Sequence, residues 1–165
     1  MQTPVMVNSD DGQGSLLRAI LLGGLVAGCL DLAFALTFNG VRGVPLVRIP
    51  QAIASGLLGP ASFQGGVTTM ALGFVFHFLI ALGFAAVYNL ASRPFPVLIR
   101  QPVICGLLYG AAAFGFMRLV VLPLSRAPKF KSGPVALWSD FASHLFFVGL
   151  TIAFFAWREG RSRIR

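Results

Sequence analysis

Four long apolar runs constrain this chain more than any other feature of its sequence. They cover residues 16–38, 66–91, 102–124 and 135–157. An α-helix rises about 1.5 Å per residue, so each run is long enough to cross a hydrocarbon core of about 30 Å. The backbone finds no water there, and a helix satisfies its amides and carbonyls internally. The sequence therefore predicts an all-α fold, an integral membrane four-helix bundle.

The composition is typical of a membrane protein and argues against a water-soluble domain. Of the 165 residues, 56% are hydrophobic and only 11% are charged, which leaves too little polar surface for a soluble fold of this size. The net charge is +8, but the basic residues lie almost entirely between or beyond the apolar runs. We therefore expect the lipid bilayer with its anionic headgroups as the partner, and no nucleic acid.

The segments outside the runs define the organisation of the chain. A polar N-terminal tail (1–15) precedes the transmembrane domain (16–158), and a basic C-terminal tail (159–165) follows it. The N-terminal tail lacks the basic segment that begins a secretory signal, so we do not expect an ordinary cleavable signal peptide.

Four spans place both termini on one side of the membrane, and the basic residues indicate which side this is. The side of the termini has seven, which are Arg18, Arg93, Arg100, Arg158, Arg161, Arg163 and Arg165. The opposite side has five, which are Arg42, Arg48, Arg126, Lys129 and Lys131. Because cytoplasmic segments are enriched in Lys and Arg, this difference predicts cytoplasmic termini.

The connection between the first two runs is long and predicts a further short helix. In the segment RIPQAIASGLLGP (48–60), apolar and small residues recur at helical spacing. Gly59 and Pro60 would then end the helix. We expect an amphipathic helix that lies in the membrane interface, with a re-entrant loop as the alternative.

Asp31, His77 and His144 are ionisable residues inside three different runs, at a similar depth. Each lies about 20–24 Å along its helix from the arginine at the predicted cytoplasmic end. Asp31 continues the small-residue stripe of Gly24 and Gly28, so we expect it to face other helices rather than lipid. The sequence predicts a buried polar cluster that either fixes helix packing or carries a function.

The runs also contain glycines at the spacing typical of helix packing in membranes. Small residues let two helix backbones approach closely where lipid removes the hydrophobic driving force. The predicted packing positions are Gly24, Gly28, Gly73, Gly106, Gly110 and Gly115.

Arg118 and Asp140 lie in the third and fourth runs, both about 27 Å from the predicted cytoplasmic end. Either charge alone would be costly at the edge of the hydrocarbon region. We therefore expect a buried ion pair that locks these two helices together.

The two cysteines, Cys29 and Cys105, differ in predicted depth by about 9 Å, which argues against a disulfide bond. The segment VAGC that ends at Cys29 matches a lipoprotein cleavage box. Apolar sequence continues beyond it without a polar linker, so lipidation of Cys29 is the less favoured interpretation.

Three functions of different classes are compatible with these residues. Small size and abundant glycine favour a non-enzymatic accessory, structural or assembly subunit that packs on other membrane helices. His77 and His144 are alternatively the axial ligands of a haem b or the ligands of a metal, with Asp140 orienting the ring of His144. In the third hypothesis, Asp31 and the two histidines relay protons in a carrier or channel for a small solute.

Enzymatic chemistry has little support, and no catalytic residue is predicted. Ser139 and Ser143 lie near His144, but no nucleophile elbow accompanies them. Walker, CxxC and HExxH motifs do not occur in the sequence, and these are the patterns that would indicate phosphate binding, redox or zinc chemistry.

A resemblance to a bacterial family rests on five segments, which are RIPQAIASGLLGP, HFLIALGFAAVYNLASR, PVICGLLYGAAAF, VVLPLS and HLFFVGLTIAF. Together they resemble the YagU-like group of small bacterial inner-membrane proteins with four spans, over about residues 18–158. The resemblance implies a four-span fold and a location in the bacterial inner (cytoplasmic) membrane. It implies no cofactor or site residue, because that group has no settled activity.

Overall fold

The computed structural model describes residues 9–129 and 133–161 of the chain. Within these two ranges it contains helices joined by short connections and no β-strand. The predicted all-α fold class is therefore confirmed.

Four helices are long and apolar enough to cross a membrane, which indicates a multi-pass membrane protein. Two short helices, Arg48–Leu58 and Val97–Arg100, lie in the connections, and a 3-10 turn at Gly59–Gln64 follows the first of them. In chain order the helices are α1 (Ser9–Gly40), α2 (Arg48–Leu58), α3 (Gly66–Ala91), α4 (Val97–Arg100), α5 (Pro102–Leu124) and α6 (Pro134–Gly160). The helix expected between the first two spans is thus present.

The ends of the long helices follow local sequence signals. Both α5 and α6 begin with a proline, which is tolerated in a first helical turn because the missing amide has no partner there. At the ends of the chain, helix extends beyond the apolar runs: α1 begins at Ser9, inside the predicted polar tail, and α6 continues to Gly160. Residues 1–8 and 162–165 lie outside the described residues.

The long helices pack as two hairpins, α1 with α3 and α5 with α6, and α6 also packs on α1. Small and medium side chains form their shared core, near the end where α3 and α6 finish. These residues are Ala27, Ala85, Tyr88, Val148, Ile152, Ala153 and Ala156. Because so many are alanines, the helix backbones lie close together at this end of the bundle.

Two of the long helices, α3 and α5, have little close backbone contact with each other. Side chains link them near the core, where the Tyr109 hydroxyl donates to the Phe84 carbonyl at 2.7 Å. Toward the end of the bundle opposite the chain termini, α2 lines part of the space between α3 and α5. The bundle is therefore closed at one end and open between α3 and α5 at the other.

The short helix α2 is fixed to α3 by its polar side. Gln51 Nε2 donates to the Gly66 carbonyl at 3.1 Å, and Thr69 Oγ1 donates to the Ser62 carbonyl at 2.6 Å. The carbonyl of Pro50 lies directly against Gly73. The apolar side of α2, which includes Ile53, lines cavities that α3 and α5 also border.

Candidate functional site

A cavity of about 230 Å³ lies inside the bundle, bordered by α1, α2, α3, α5 and α6. Asp31, His77 and His144 all line it. The structure thus brings the three ionisable residues together, although they come from three helices and are far apart in sequence.

Asp31 is joined to α6 by a hydrogen bond, since the buried hydroxyl of Ser143 donates to its Oδ1. No hydrogen-bond donor to the second carboxylate oxygen occurs in the described part of the chain. The sequence did not indicate Ser143 as a partner of Asp31. The only available signal was that it precedes His144 and therefore lies at a similar depth.

His77 joins α3 to α1 through its Nε2 atom, which lies 2.9 Å from the carbonyl oxygen of Gly28. A carbonyl can only accept, so Nε2 carries the proton in this contact. In a neutral ring, Nδ1 is then an unprotonated acceptor. None of the described residues donates to that Nδ1.

His144 makes its polar contacts within α6, with Asp140 one turn earlier. Its Nδ1 lies 2.9 Å from the Asp140 carbonyl and 3.4 Å from Asp140 Oδ1. The ring also packs edge to face on Phe114 of α5, with 5.6 Å between the centroids. Nε2 of His144 has no hydrogen-bond partner among residues 13–129 and 133–161.

These contacts differ from a cluster in which the three side chains bind one another. Each of Asp31, His77 and His144 uses one polar atom to attach to a neighbouring helix or to its own helix. The second polar atom of each remains without a protein partner in the described residues. The site therefore combines fixed side chains with three atoms that can bind a solute or exchange a proton.

The cavity is closed on the side of the chain termini. Ala27 and Val148 line it and also belong to the packed core. Beyond them lie Tyr88 and Ile152, which are among the most completely buried side chains. On the opposite side, the cavity is bordered by Ile49 and Ile53 of α2.

The structure does not form the ion pair expected between Arg118 and Asp140. Asp140 pairs with His144, and the guanidinium of Arg118 lies over the Phe114 ring, 5.9 Å from its centroid. The prediction used height along the helix, which fixes depth but not the direction in which a side chain points. A π-helical segment that begins at Met117 changes that direction further.

Most of the predicted packing glycines lie where two helices approach closely. On α1, Gly24 and Gly28 face Leu82 and Phe78 of α3. On α5, Gly106 and Gly110 face the backbone of α6.

Two of the predicted packing glycines do not lie between two spans. Gly73 contacts Pro50 of α2 rather than another span, and Gly115 faces open space, with no atom within 4 Å of an added Cβ. Sequence reasoning also missed Gly149 of α6, whose added Cβ would collide with the backbone of Gly106 and Gly110. The small-xxx-small pair of Gly149 and Ala153 was the signal for it.

The site geometry does not suit a haem. The backbone of Pro50 occupies the space beside Gly73, one turn from His77, where a macrocycle would need room. The cavity is also smaller than the roughly 300–1,000 Å³ of typical ligand pockets. The described residues contain no group of three or more metal-ligating side chains.

Both cysteines are free thiols in the structure. Cys29 is exposed in the middle of α1, and Cys105 Sγ lies 3.6 Å from the Val97 carbonyl. Neither thiol lines the central cavity.

Comparisons with models of protein families, with curated proteins and with solved structures find no significant match to this chain.

Proposed function

We propose that this chain is a proton-linked carrier of a small polar solute in the bacterial inner membrane. The observation that carries the proposal is the convergence of Asp31, His77 and His144 on one cavity. An ionisable side chain in a span costs about 2.5–3.5 kcal/mol or more, and such residues commonly mark solute and proton pathways.

The chemistry of the three side chains suits a site that binds a solute and exchanges protons. A carboxylate accepts hydrogen bonds from hydroxyl or ammonium groups, and an imidazole can take up a proton on one nitrogen and release it from the other. The atoms without protein partners are Asp31 Oδ2, His77 Nδ1 and His144 Nε2. A solute that donates a hydrogen bond to Asp31 and fits about 230 Å³ is the expected substrate class.

The accessibility of the cavity supports a carrier more than a continuous channel. The packed core around Tyr88 and Ile152 separates the cavity from the end that holds the termini. A site near the middle of the spans that is closed toward one side is what alternating access requires in one of its states. The other state would need α1 and α6 to separate at Ala27 and Val148.

Proton flux into liposomes tests the proposal. Purified protein would be reconstituted into liposomes that contain a pH-sensitive dye. Internal acidification would be measured after a pH step with small hydroxyl- or ammonium-bearing solutes present, because a coupled carrier moves protons only with its solute. Asp31→Asn keeps an oxygen that can accept from Ser143 but cannot exchange a proton, so we expect it to lower flux at least about ten-fold, as loss of a proton-transfer group does. Cys29→Ala, two residues away on the exposed side of α1, serves as the matched control and should leave flux unchanged.

Thermal unfolding of the same samples distinguishes transport from a structural role. A carrier predicts that Asp31→Asn lowers flux at least about ten-fold while its melting temperature stays near that of the wild type. Absence of flux in the wild-type protein at every pH between 5 and 8, with Asp31→Asn only less stable, would contradict the carrier. That outcome would favour the accessory or assembly subunit, in which the cluster fixes helix packing.

A further inference from the structure

Arg118 is a half-buried cation for which the described residues provide no acidic partner. It lies on α5 near the end opposite the chain termini, and its guanidinium contacts the ring of Phe114. A charge in this position is costly unless an anion compensates it. Since Asp140 is taken by His144, an anion from outside the protein would remove the cost.

A cavity of about 490 Å³ surrounds Arg118. Lys129, in the connection after α5, lines the same cavity, and Ser55 of α2 contributes to its wall. Of the described residues, two cations and no acidic residue line it. By charge complementarity, the cavity favours an anion with several oxygen atoms, such as a phosphate group.

An apolar groove of about 470 Å³ adjoins this cavity. The two share Ala52, Leu122 and Ala127 as walls. The groove runs between α2, α3 and α5, where α3 and α5 have little backbone contact. Its walls include Leu57, Phe76, Leu79 and Val121. An apolar groove therefore lies directly beside the basic cavity.

The orientation of α2 creates this groove. Its polar side forms the hydrogen bonds of Gln51 to α3. Ile53 and Leu57 line the groove, and Ile53 also borders the central cavity. The amide of Arg126 donates to the Gly56 carbonyl at 2.9 Å and closes the connection over the end of α2.

We propose that these two cavities form one binding site for an anionic glycerophospholipid of the bilayer. The phosphate would lie between Arg118 and Lys129, and an acyl chain would occupy the groove between α2, α3 and α5. The adjacency of a basic cavity and an apolar groove matches the two parts of such a lipid. The groove shares Ile53, Ile80 and Met117 as walls with the central cavity, but Asp31, His77 and His144 do not line it, and lipid binding there does not depend on transport.

Native mass spectrometry of protein taken from nanodiscs with equal phosphatidylglycerol and phosphatidylcholine tests the site. We expect the wild type to retain phosphatidylglycerol preferentially. Arg118→Gln should lower this retention about five-fold, which corresponds to about 1 kcal/mol for one basic group near a lipid surface. Arg118→Lys should restore part of it. Arg42→Gln removes a charge of the same end outside the cavity and should have no effect.

The groove is tested by a variant that fills it. Leu79→Trp should lower lipid retention, whereas Val75→Trp, one turn earlier and also exposed on α3, should not. Millimolar inorganic phosphate should fail to displace the lipid, because it cannot occupy the groove.

Three results would overturn the proposal. These are equal retention of the two lipids by the wild type, equal losses in Arg118→Gln and Arg42→Gln, and complete displacement by inorganic phosphate. Melting temperatures of all variants would separate loss of binding from loss of fold.

Discussion

At the scale of single residues, one of the tightest contacts between two spans in the described part of the chain is at a glycine that the sequence did not single out. Gly149 lies against the carbonyl of Gly106 and the backbone of Gly110. No side chain can be placed there without moving α5 away from α6. The neighbouring Gly115 of α5 has open space around it, so the same residue type has opposite roles within one helix pair.

These two glycines give a matched pair of substitutions. Gly149→Ala should destabilise the protein by about 1–3 kcal/mol, the usual cost of overpacking. Gly115→Ala should be neutral or stabilising by up to about 1 kcal/mol, because alanine favours helix. Thermal unfolding in detergent measures both, and equal melting temperatures for the two variants would contradict the predicted contact between α5 and α6.

Position along a helix predicts the depth of a residue in the membrane, but not the direction of its side chain. Counting along each helix placed Asp31, His77 and His144 at one level, and all three line one cavity. The same counting for Arg118 and Asp140 did not produce a contact. Height follows from the rise of the helix, whereas direction depends on helix rotation, and only the packed neighbours fix that.

At the scale of elements, α2 shows that an amphipathic pattern does not identify the side that packs. Its apolar stripe predicted a helix correctly, and Gly59 ends it with a φ of +68°. In the structure, however, the polar and small residues Gln51 and Ser55 are buried against the protein. In a membrane, lipid accepts the apolar side, so hydrogen bonds and small residues determine which side packs on the protein.

The attachment of α2 is tested at Thr69, which is buried and hydrogen-bonded to Ser62 and Gln51. Thr69→Val preserves shape but removes the hydroxyl, and a buried group left unpaired costs about 1–3 kcal/mol. We therefore expect faster hydrogen exchange in Arg48–Leu58. Thr68→Val, at the adjacent exposed position, is the control. Unchanged exchange in both variants would show that α2 is held in another way.

Two π-helical segments lie at the candidate sites, at Met117–Val121 and His144–Leu150. The first precedes Pro123, which has no amide to donate to the turn before it. In that segment the Leu122 amide bonds to the Met117 carbonyl, five residues back. Such segments frequently occur at functional sites, and here one contains Arg118 and the other begins at His144.

At the scale of the whole molecule, the four-span architecture predicts where each connection lies relative to the membrane. Val41, after α1, and Phe95, after α3, are both exposed. One span precedes Val41 and two precede Phe95, so the two residues lie on opposite sides of the membrane. With cytoplasmic termini, as the excess of basic residues predicts, Val41 is outside and Phe95 inside.

Cysteine labelling tests this arrangement. In a background without Cys29 and Cys105, Val41→Cys should react with a charged, impermeant maleimide on intact spheroplasts. Phe95→Cys should react only after the membrane is permeabilised. The reverse pattern would invert the orientation, and labelling of both positions from outside would contradict four spans.

The sequence alone determined the four long helices and the short helix between the first two. Run length and apolarity predicted four spans, because a backbone in hydrocarbon has to satisfy its own hydrogen bonds. The glycines at 24, 28, 106 and 110 marked real helix contacts, since only small residues permit such approach. The helix between the first two spans was also readable from its period and its terminating glycine.

Only the tertiary structure decided which side of each helix packs against which neighbour. It turned the polar side of α2 toward α3, filled the space beside Gly73 with Pro50, and left Arg118 in a basic cavity beside an apolar groove. These features depend on the rotation of each helix about its axis. That rotation is set by contacts between residues distant in sequence. Periodicity within one helix shows which side is small or polar, but not which neighbour that side meets.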